Sequence, residues 1–188
     1  SLEIYGGTAS LSSISVGHFT TSSGTLIIAG GSLTVGQAVI GFSGSGTLIA
    51  SNQADGISFQ TLKVGDRSAV KLDVSGSSLA AADTLVFRVA GTATLSANAS
   101  YTIDLSGFTG IIAANDAITI AIVGELSPGS QDVSWIVKGY QQQIEGMELQ
   151  AYWDGNTLVV GWIQVPEPAV AAALLGVFAL VSVARRRK

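Results

Sequence analysis

Apolar and polar residues alternate over short stretches in the first half of the chain. Leu26 and Ile28 occupy alternate positions, as do Leu33 and Val35, and the same spacing returns at residues 62–64. A period of two places successive side chains on opposite faces of a strand. These stretches therefore predict β-strands with one buried face and one solvated face.

Two short sequence cassettes recur among the predicted strands. One family consists of Ile14–Gly17, Leu33–Gly36 and Leu62–Gly65, which follow one another after 19 and then 29 residues. The second consists of Gly24–Ile27 and Gly46–Ile49, which lie 22 residues apart. Repeats of this length predict a solenoid, in which successive coils stack and bury one continuous core.

A right-handed parallel β-helix and an antiparallel sandwich both fit this pattern. A sandwich would need hairpin turns at regular spacing, and Asn-Gly or Asp-Gly pairs are scarce over residues 2–90. The repeated cassettes therefore favour the β-helix for this part of the chain. The stretch Ser45–Ser51 also resembles the strand repeats of autotransporter passengers and related bacterial surface proteins.

Beyond about residue 83 the alternating stretches become longer and lose the cassettes. A hairpin is indicated near residue 155, where the turn sequence Asp154–Asn156 separates two alternating strands at 148–153 and 157–162. We interpret this antiparallel region as a cap that seals the last coil and its unpaired edge. The predicted fold is all-β: a right-handed parallel β-helix over residues 1–126 and an antiparallel cap over residues 127–164. Because Ser1 already precedes a predicted strand, we interpret the N-terminus as a fragment boundary.

Composition narrows the range of functions. Four of the nine Lys and Arg residues are the last four of the chain, so the first 184 residues carry 5 cations against 13 Asp and Glu, a net charge of −8. Binding to nucleic acid requires clustered cations, so this charge distribution excludes nucleic acid as the main partner. The absence of cysteine excludes a disulfide framework, a thiolate metal site and a cysteine nucleophile.

Candidate chemistry in the body is sparse. His18 is the only histidine, and we expect it to be an exposed loop residue rather than a base or ligand. The aspartates are scattered, mostly where Asx turns would place them: Asp55, Asp66, Asp73, Asp83, Asp104, Asp116, Asp132 and Asp154. The densest basic group, Lys63, Arg67 and Lys71, is interleaved with acidic residues and is typical of a solvated edge. We therefore predict no catalytic residue, metal site or cofactor.

Five aromatic residues lie in or near the predicted cap. They are Trp135, Tyr140, Tyr152, Trp153 and Trp162. Such side chains stack on sugar rings in some binding sites, and they fill cores in others. The sequence leaves both interpretations open.

The C-terminus differs in character from the body. Residues 169–184 form a run of sixteen without a charge, and Arg185, Arg186, Arg187 and Lys188 follow. A helix of this length spans roughly 24 Å, somewhat less than the roughly 30 Å of a bilayer core. The pattern predicts a single transmembrane helix, with the basic cluster as a cytoplasmic stop-transfer signal and the body outside.

The residues before this run complete a recognisable arrangement. Val165, Pro166, Glu167 and Pro168, followed by a short apolar stretch and the basic cluster, closely resemble the PEP-CTERM sorting tail of Gram-negative bacteria. The resemblance covers about the last 24 residues. It implies export by a signal peptide, transient retention in the inner membrane, and processing near the Pro-Glu-Pro motif by an exosortase-type membrane transpeptidase. The family is associated with exopolysaccharide and with biofilm or floc matrix.

The sequence therefore predicts an exported, non-enzymatic protein with a structural or adhesive role at the cell surface or in the extracellular matrix. Exopolysaccharide is a candidate partner. Two alternatives remain open. One is a secreted polysaccharide-active enzyme or carbohydrate-binding module that carries the same tail. The other is a plain tail-anchored protein that is not processed.

Overall fold

A computed structural model describes residues 1–165, and these residues form eleven strands joined in one sheet. The strands are β1 (Leu2–Val16), β2 (Ser23–Ile40), β3 (Ser45–Ser51), β4 (Gly56–Val64), β5 (Ala69–Gly76), β6 (Phe87–Leu95), β7 (Ser100–Phe108), β8 (Ala117–Leu126), β9 (Trp135–Lys138), β10 (Met147–Asp154) and β11 (Thr157–Gln164). A one-turn helix α1 (Ala81–Thr84) and a 3₁₀ turn (Ser130–Asp132) lie between strands.

The sheet has two arms that meet at the long strand β2. The first part of β2 pairs with β3, and this arm continues through β5 and β7 to β9. The second part of β2 pairs with β4, and this arm continues through β6 and β8 to β11 and β10. Strand β1 runs along the whole of β2. From β3 to β8, successive strands belong alternately to the first and the second arm. Each strand from β4 to β8 therefore lies beside the strand two before it in the sequence.

Both arms bury their inward-facing residues in a common core. On the first arm, equivalent positions of successive strands carry Leu26, Leu48, Val70, Tyr101 and Trp135. The first four are buried. Side chains stacked in this way remove a continuous apolar row from water, at about 25 cal/mol per Å² of apolar surface. The alternating pattern of the sequence is therefore the direct cause of the buried rows.

The second cassette lies in register. Residues 24–27 of β2 pair directly with residues 46–49 of β3. The first cassette does not behave uniformly, because Ile14–Gly17 lies beside Ala38–Gly41, which in turn lies beside Leu62–Gly65. The remaining cassette, Leu33–Gly36, lies earlier along β2 and pairs with neither of the other two cassettes. The paired segments therefore begin 24 residues apart, at residues 14, 38 and 62. The similarity of the cassettes had indicated spacings of 19 and 29 residues.

A hairpin changes the direction of the sheet near its C-terminal end. Gly155 adopts a left-handed conformation, with φ of 57°, and it closes the two-residue turn between β10 and β11. Glycine is favoured there because it lacks the Cβ that disfavours positive φ. Strand β11 then pairs antiparallel with β8 as well as with β10. The hairpin therefore extends the same sheet.

The fold prediction needs correction on two points. The described residues form one mixed sheet, with eight parallel and two antiparallel pairings, whereas we predicted a parallel β-helix closed by a separate antiparallel cap. The reason is that β8 accepts β11 along its free edge and so makes the hairpin part of the sheet. No helix among residues 1–165 is long and apolar enough to cross a membrane. The predicted transmembrane helix at 169–184 lies outside the described residues, and this part of the prediction has no support and is not kept.

Candidate functional site

Among the described residues, the last strand ends immediately before the predicted sorting motif begins. Strand β11 ends at Gln164, which lies opposite Met147 of β10. The next residue, Val165, donates its backbone N–H to the carbonyl oxygen of Gly146 at 3.0 Å, and 45% of its surface is exposed. The motif therefore starts at the surface, one residue after the last strand. Residues 166–168 of the motif and the basic cluster 185–188 lie outside the described residues.

Two aromatic side chains fix the strand that leads to this point. The hydroxyl of Tyr140 accepts a hydrogen bond from the backbone N–H of Ile112 at 2.8 Å and donates one to the carbonyl oxygen of Gly110 at 3.1 Å. The indole N–H of Trp162, on β11, donates to the carbonyl oxygen of Ile112 at 2.7 Å. The rings of Tyr140 and Trp162 lie 6.2 Å apart. The Trp162 bond joins β11 to the loop between β7 and β8, and the Tyr140 hydroxyl joins the segment after β9 to the same loop.

The other cap aromatics have mainly structural positions. Trp135 packs against Tyr101, with the ring centroids 4.9 Å apart, and Trp153 packs against the same core. Both indole N–H groups are buried without a hydrogen-bond partner among the described residues. Tyr152 points outward and is 39% exposed. Core filling therefore accounts for Trp135 and Trp153, whereas Tyr152 remains free to contact a ligand.

A row of charges crosses the outer surface of the first arm. Asp73 and Asp104 lie directly opposite each other on β5 and β7, and Lys138 of β9 lies opposite Asp104. Two carboxylates in neighbouring positions repel each other, and two cations offset this. Lys71 lies 3.0 Å from Asp73, and Lys138 lies 3.3 Å from Asp104.

Hydrogen bonding shifts the titration of these groups. The hydroxyl and backbone N–H of Ser106, together with the Lys138 ammonium, hold the pKa of Asp104 at about 2. A hydrogen bond to Asp73 raises the pKa of Lys71 above its usual value. Both groups thus stay charged over a wide pH range. The row is a compensated ion-pair network that ties three strands together, not a poised acid or base.

The densest basic residues of the sequence, Lys63, Arg67 and Lys71, which we expected to form a solvated edge, are divided between the two arms. Lys63 lies on β4 of the second arm, whereas Lys71 lies on β5 of the first arm. Among the described residues, salt bridges involve only Lys71 and Lys138 on the cationic side. The described residues also contain no group of three His, Asp or Glu side chains that could hold a metal ion.

Three clefts bear on whether the body could hydrolyse a polysaccharide. The largest of the three, of about 490 Å³, is lined by residues 133–137 and 148–151 and contains Glu148. A second, of about 370 Å³, lies between β9 and β10 and contains Lys138 and Glu148. A third, of about 340 Å³, lies beside the corner between β3 and β4 and contains Asp55 and Arg88. Glycoside hydrolysis by the usual route needs two carboxyl groups on either side of the bond. Each of these clefts offers one.

An aromatic cluster that was not predicted from the sequence lies at the connections that follow β1 and β2. The His18 ring stacks on Phe42 at 5.2 Å and nearly parallel, and it meets Phe19 edge-on at 4.9 Å. His18 is exposed. Each phenylalanine follows shortly after a strand-ending glycine, Gly17 or Gly41. That shared placement was the available signal, since it puts both rings on neighbouring corners.

Comparison with protein-family models, with curated proteins and with solved structures gives no match. The functional conclusions therefore depend on the residues and geometry of this chain, together with the resemblance of its last residues to a sorting tail.

Proposed function

We propose that this protein is an exported structural component of the extracellular matrix or cell surface, and that an exosortase-type transpeptidase processes it at Val165–Pro168. The observation that carries the proposal is the position of the motif. The sheet ends at Gln164, and Val165 is exposed immediately after it. A processing enzyme would therefore reach the motif without unfolding the body.

The local chemistry suits this role. A residue before proline is disfavoured in the helical region and favoured in an extended conformation, which a peptide-cleaving enzyme can bind along its active site. Val165 precedes Pro166, and its backbone N–H donates to the carbonyl oxygen of Gly146. Pairing with β8 and β10, together with the Trp162 hydrogen bond, holds the preceding strand in the sheet. Cleavage near the motif would thus release an intact body.

A structural role also agrees with the surface of the body. The charged row on the first arm is internally neutralised, and the three clefts described above each contain a single carboxylate. Ser and Thr contribute 37 residues to the chain, and many lie on the solvated faces of strands. Hydroxyl groups on a β-sheet surface are suited to hydrogen bonding with polymers. No observation favours an enzymatic function over this one.

The test follows both ends of the chain. One epitope is placed before Ser1, behind a signal peptide, and a second is placed after Lys188. The protein is expressed in a Gram-negative host with and without an exosortase. We expect the upstream epitope outside the cell and loss of the downstream epitope only when the exosortase is present. The mass of the released product would locate the cut.

A matched pair of variants makes the test specific. Glu167→Ala changes the motif, whereas Glu145→Ala removes an exposed carboxylate from the loop before β10. We expect processing to fail in Glu167→Ala and to continue in Glu145→Ala. If both epitopes stay joined in wild-type protein with the exosortase present, the proposal is wrong.

A further inference from the structure

Two neighbouring corners bring three aromatic rings together at the surface. We call this set, His18, Phe19 and Phe42, the aromatic corner. His18 and Phe19 lie in the connection between β1 and β2, and Phe42 lies in the connection between β2 and β3. Phe19 is 70% exposed and Phe42 is 58% exposed. Single exposed apolar side chains are common, but a group of three aromatic rings in contact on adjacent corners is not explained by the core.

The backbone beneath the rings is held firmly. Gly41 donates its N–H to the carbonyl oxygen of Val16 at 2.6 Å, and Gly44 donates to that of Gly17 at 2.9 Å. A Cβ at Gly44 would overlap the carbonyl oxygens of Phe19 and Ser22, so the two corners are in close contact.

Side chains complete this support. The Ser22 hydroxyl donates to the carbonyl oxygen of Phe19 at 2.8 Å, and the Phe19 N–H lies 2.9 Å from the same hydroxyl oxygen. The Ser15 hydroxyl lies 3.1 Å from Nδ1 of His18. The rings are thus arranged in advance, and a ligand would not have to order the backbone that carries them.

The surroundings indicate the chemistry of the ligand. Apart from His18, the corner segments 17–22 and 41–44 contain no ionisable side chain. Hydroxyl groups flank the rings at Thr20, Thr21 and Ser43, and all three residues are exposed. Aromatic faces beside neutral hydroxyls match a neutral sugar, whose C–H face packs on a ring while its hydroxyls form hydrogen bonds. The next corner, residues 65–68, packs against Gly41 and carries Asp66 and Arg67. Their opposite charges favour neither an anionic nor a cationic ligand.

We propose that the aromatic corner is a binding site for neutral polysaccharide. This inference deepens the proposed matrix function and depends on it for its biological setting. The chemical claim concerns only the corner, so it can fail while processing at the motif succeeds, and the reverse also holds.

The test uses the full chain in native gels that contain a soluble polysaccharide. Hydroxyethylcellulose and dextran serve as neutral polymers, and alginate serves as an acidic one. We expect at least one neutral polymer to retard the protein, and alginate not to retard it. Removing one ring, as in Phe19→Ser or Phe42→Ser, should weaken the apparent affinity about tenfold, which corresponds to the loss of one favourable aromatic contact.

Ile111→Ser is the matched control, because Ile111 is an apolar residue of similar exposure, at 67%, on the connection between β7 and β8. It should bind like wild type. Because all three side chains are exposed, each variant should keep the wild-type urea midpoint, which confirms folding.

Three outcomes would overturn the inference. The first is that no neutral polymer retards the wild-type protein, and the second is that the phenylalanine variants bind as well as wild type. The third is that sedimentation shows self-association that the variants abolish without a change in polymer retardation, because the corner would then be a protein contact.

Discussion

Replacing Tyr140 by phenylalanine would remove one oxygen atom and leave the ring in place. The hydroxyl has two backbone partners, Ile112 and Gly110, at 2.8 and 3.1 Å. The side chain of Ile112 is almost completely buried, so its N–H would lose its partner with little access to water. Each hydrogen bond contributes about 1 kcal/mol, and an orphaned buried donor costs about 1–3 kcal/mol.

We therefore expect Tyr140→Phe to lower the free energy of unfolding by about 2 kcal/mol. With a urea dependence of about 2 kcal/mol per molar, the midpoint would fall by about 1 M. The unfolding curve is measured by far-UV circular dichroism and tryptophan fluorescence together. Coincident curves would show that a two-state treatment is valid.

Tyr152→Phe is the matched control for this prediction. Its hydroxyl forms no hydrogen bond with the described residues, and its ring is 39% exposed on β10. We expect a change below about 0.5 kcal/mol. If both substitutions change stability by the same small amount, the hydroxyl of Tyr140 does not stabilise the loop at Gly110 and Ile112.

Two further predictions concern the buried rows and the charged row. Leu48→Ala should lower the free energy of unfolding by about 3–5 kcal/mol, because Leu48 is fully buried between stacked neighbours. Ile49 faces outward, so Ile49→Ala should lower it by only about 1 kcal/mol. Similar urea midpoints for the two variants would contradict the assigned register. Asp104→Asn should destabilise the protein by about 1 kcal/mol at pH 7, allowing for solvent screening, and by nothing near pH 2. The folded-state pKa of Asp104 lies below its ordinary value, so its contribution to stability is present above about pH 4 and is lost as the pH falls towards 2. If the stability difference between Asp104→Asn and wild type did not change with pH, the ionised carboxylate would not be its cause.

The sequence predicted the strand content and much of the local pattern, but not the full arrangement. The alternation around Leu26 and Leu48 was visible because a buried face imposes it, and the turn at Gly155 was visible because few residues suit such a turn. The register of the first cassette was not visible. Ala38–Gly41 pairs with Ile14–Gly17 although its side chains differ, since pairing depends on backbone position and inward orientation rather than on identity.

The pairing of β11 with β8 could not be inferred for a different reason. The two strands are about 30 residues apart, and nothing in either sequence distinguishes an edge that accepts a hairpin from one that remains open. The candidate sites show the same limit. The motif at Val165 is a local signal and could be found by inspection of the sequence. Finding the aromatic corner requires the knowledge that Phe19 and Phe42 both lie against the ring of His18.

The positions of the two proposed functional features determine how they can act together. The aromatic corner lies at the ends of β1 and β2, and the motif follows β11. Along the second arm, β2 and β11 are separated by four strand spacings, or roughly 19 Å. Cleavage near Val165 would therefore leave the corner and the sheet beneath it intact. Variants of Phe19 should be processed normally, and Glu167→Ala should bind polysaccharide normally. A variant that loses both properties would indicate a misfolded body, because the sheet is the only described structure that the two features share.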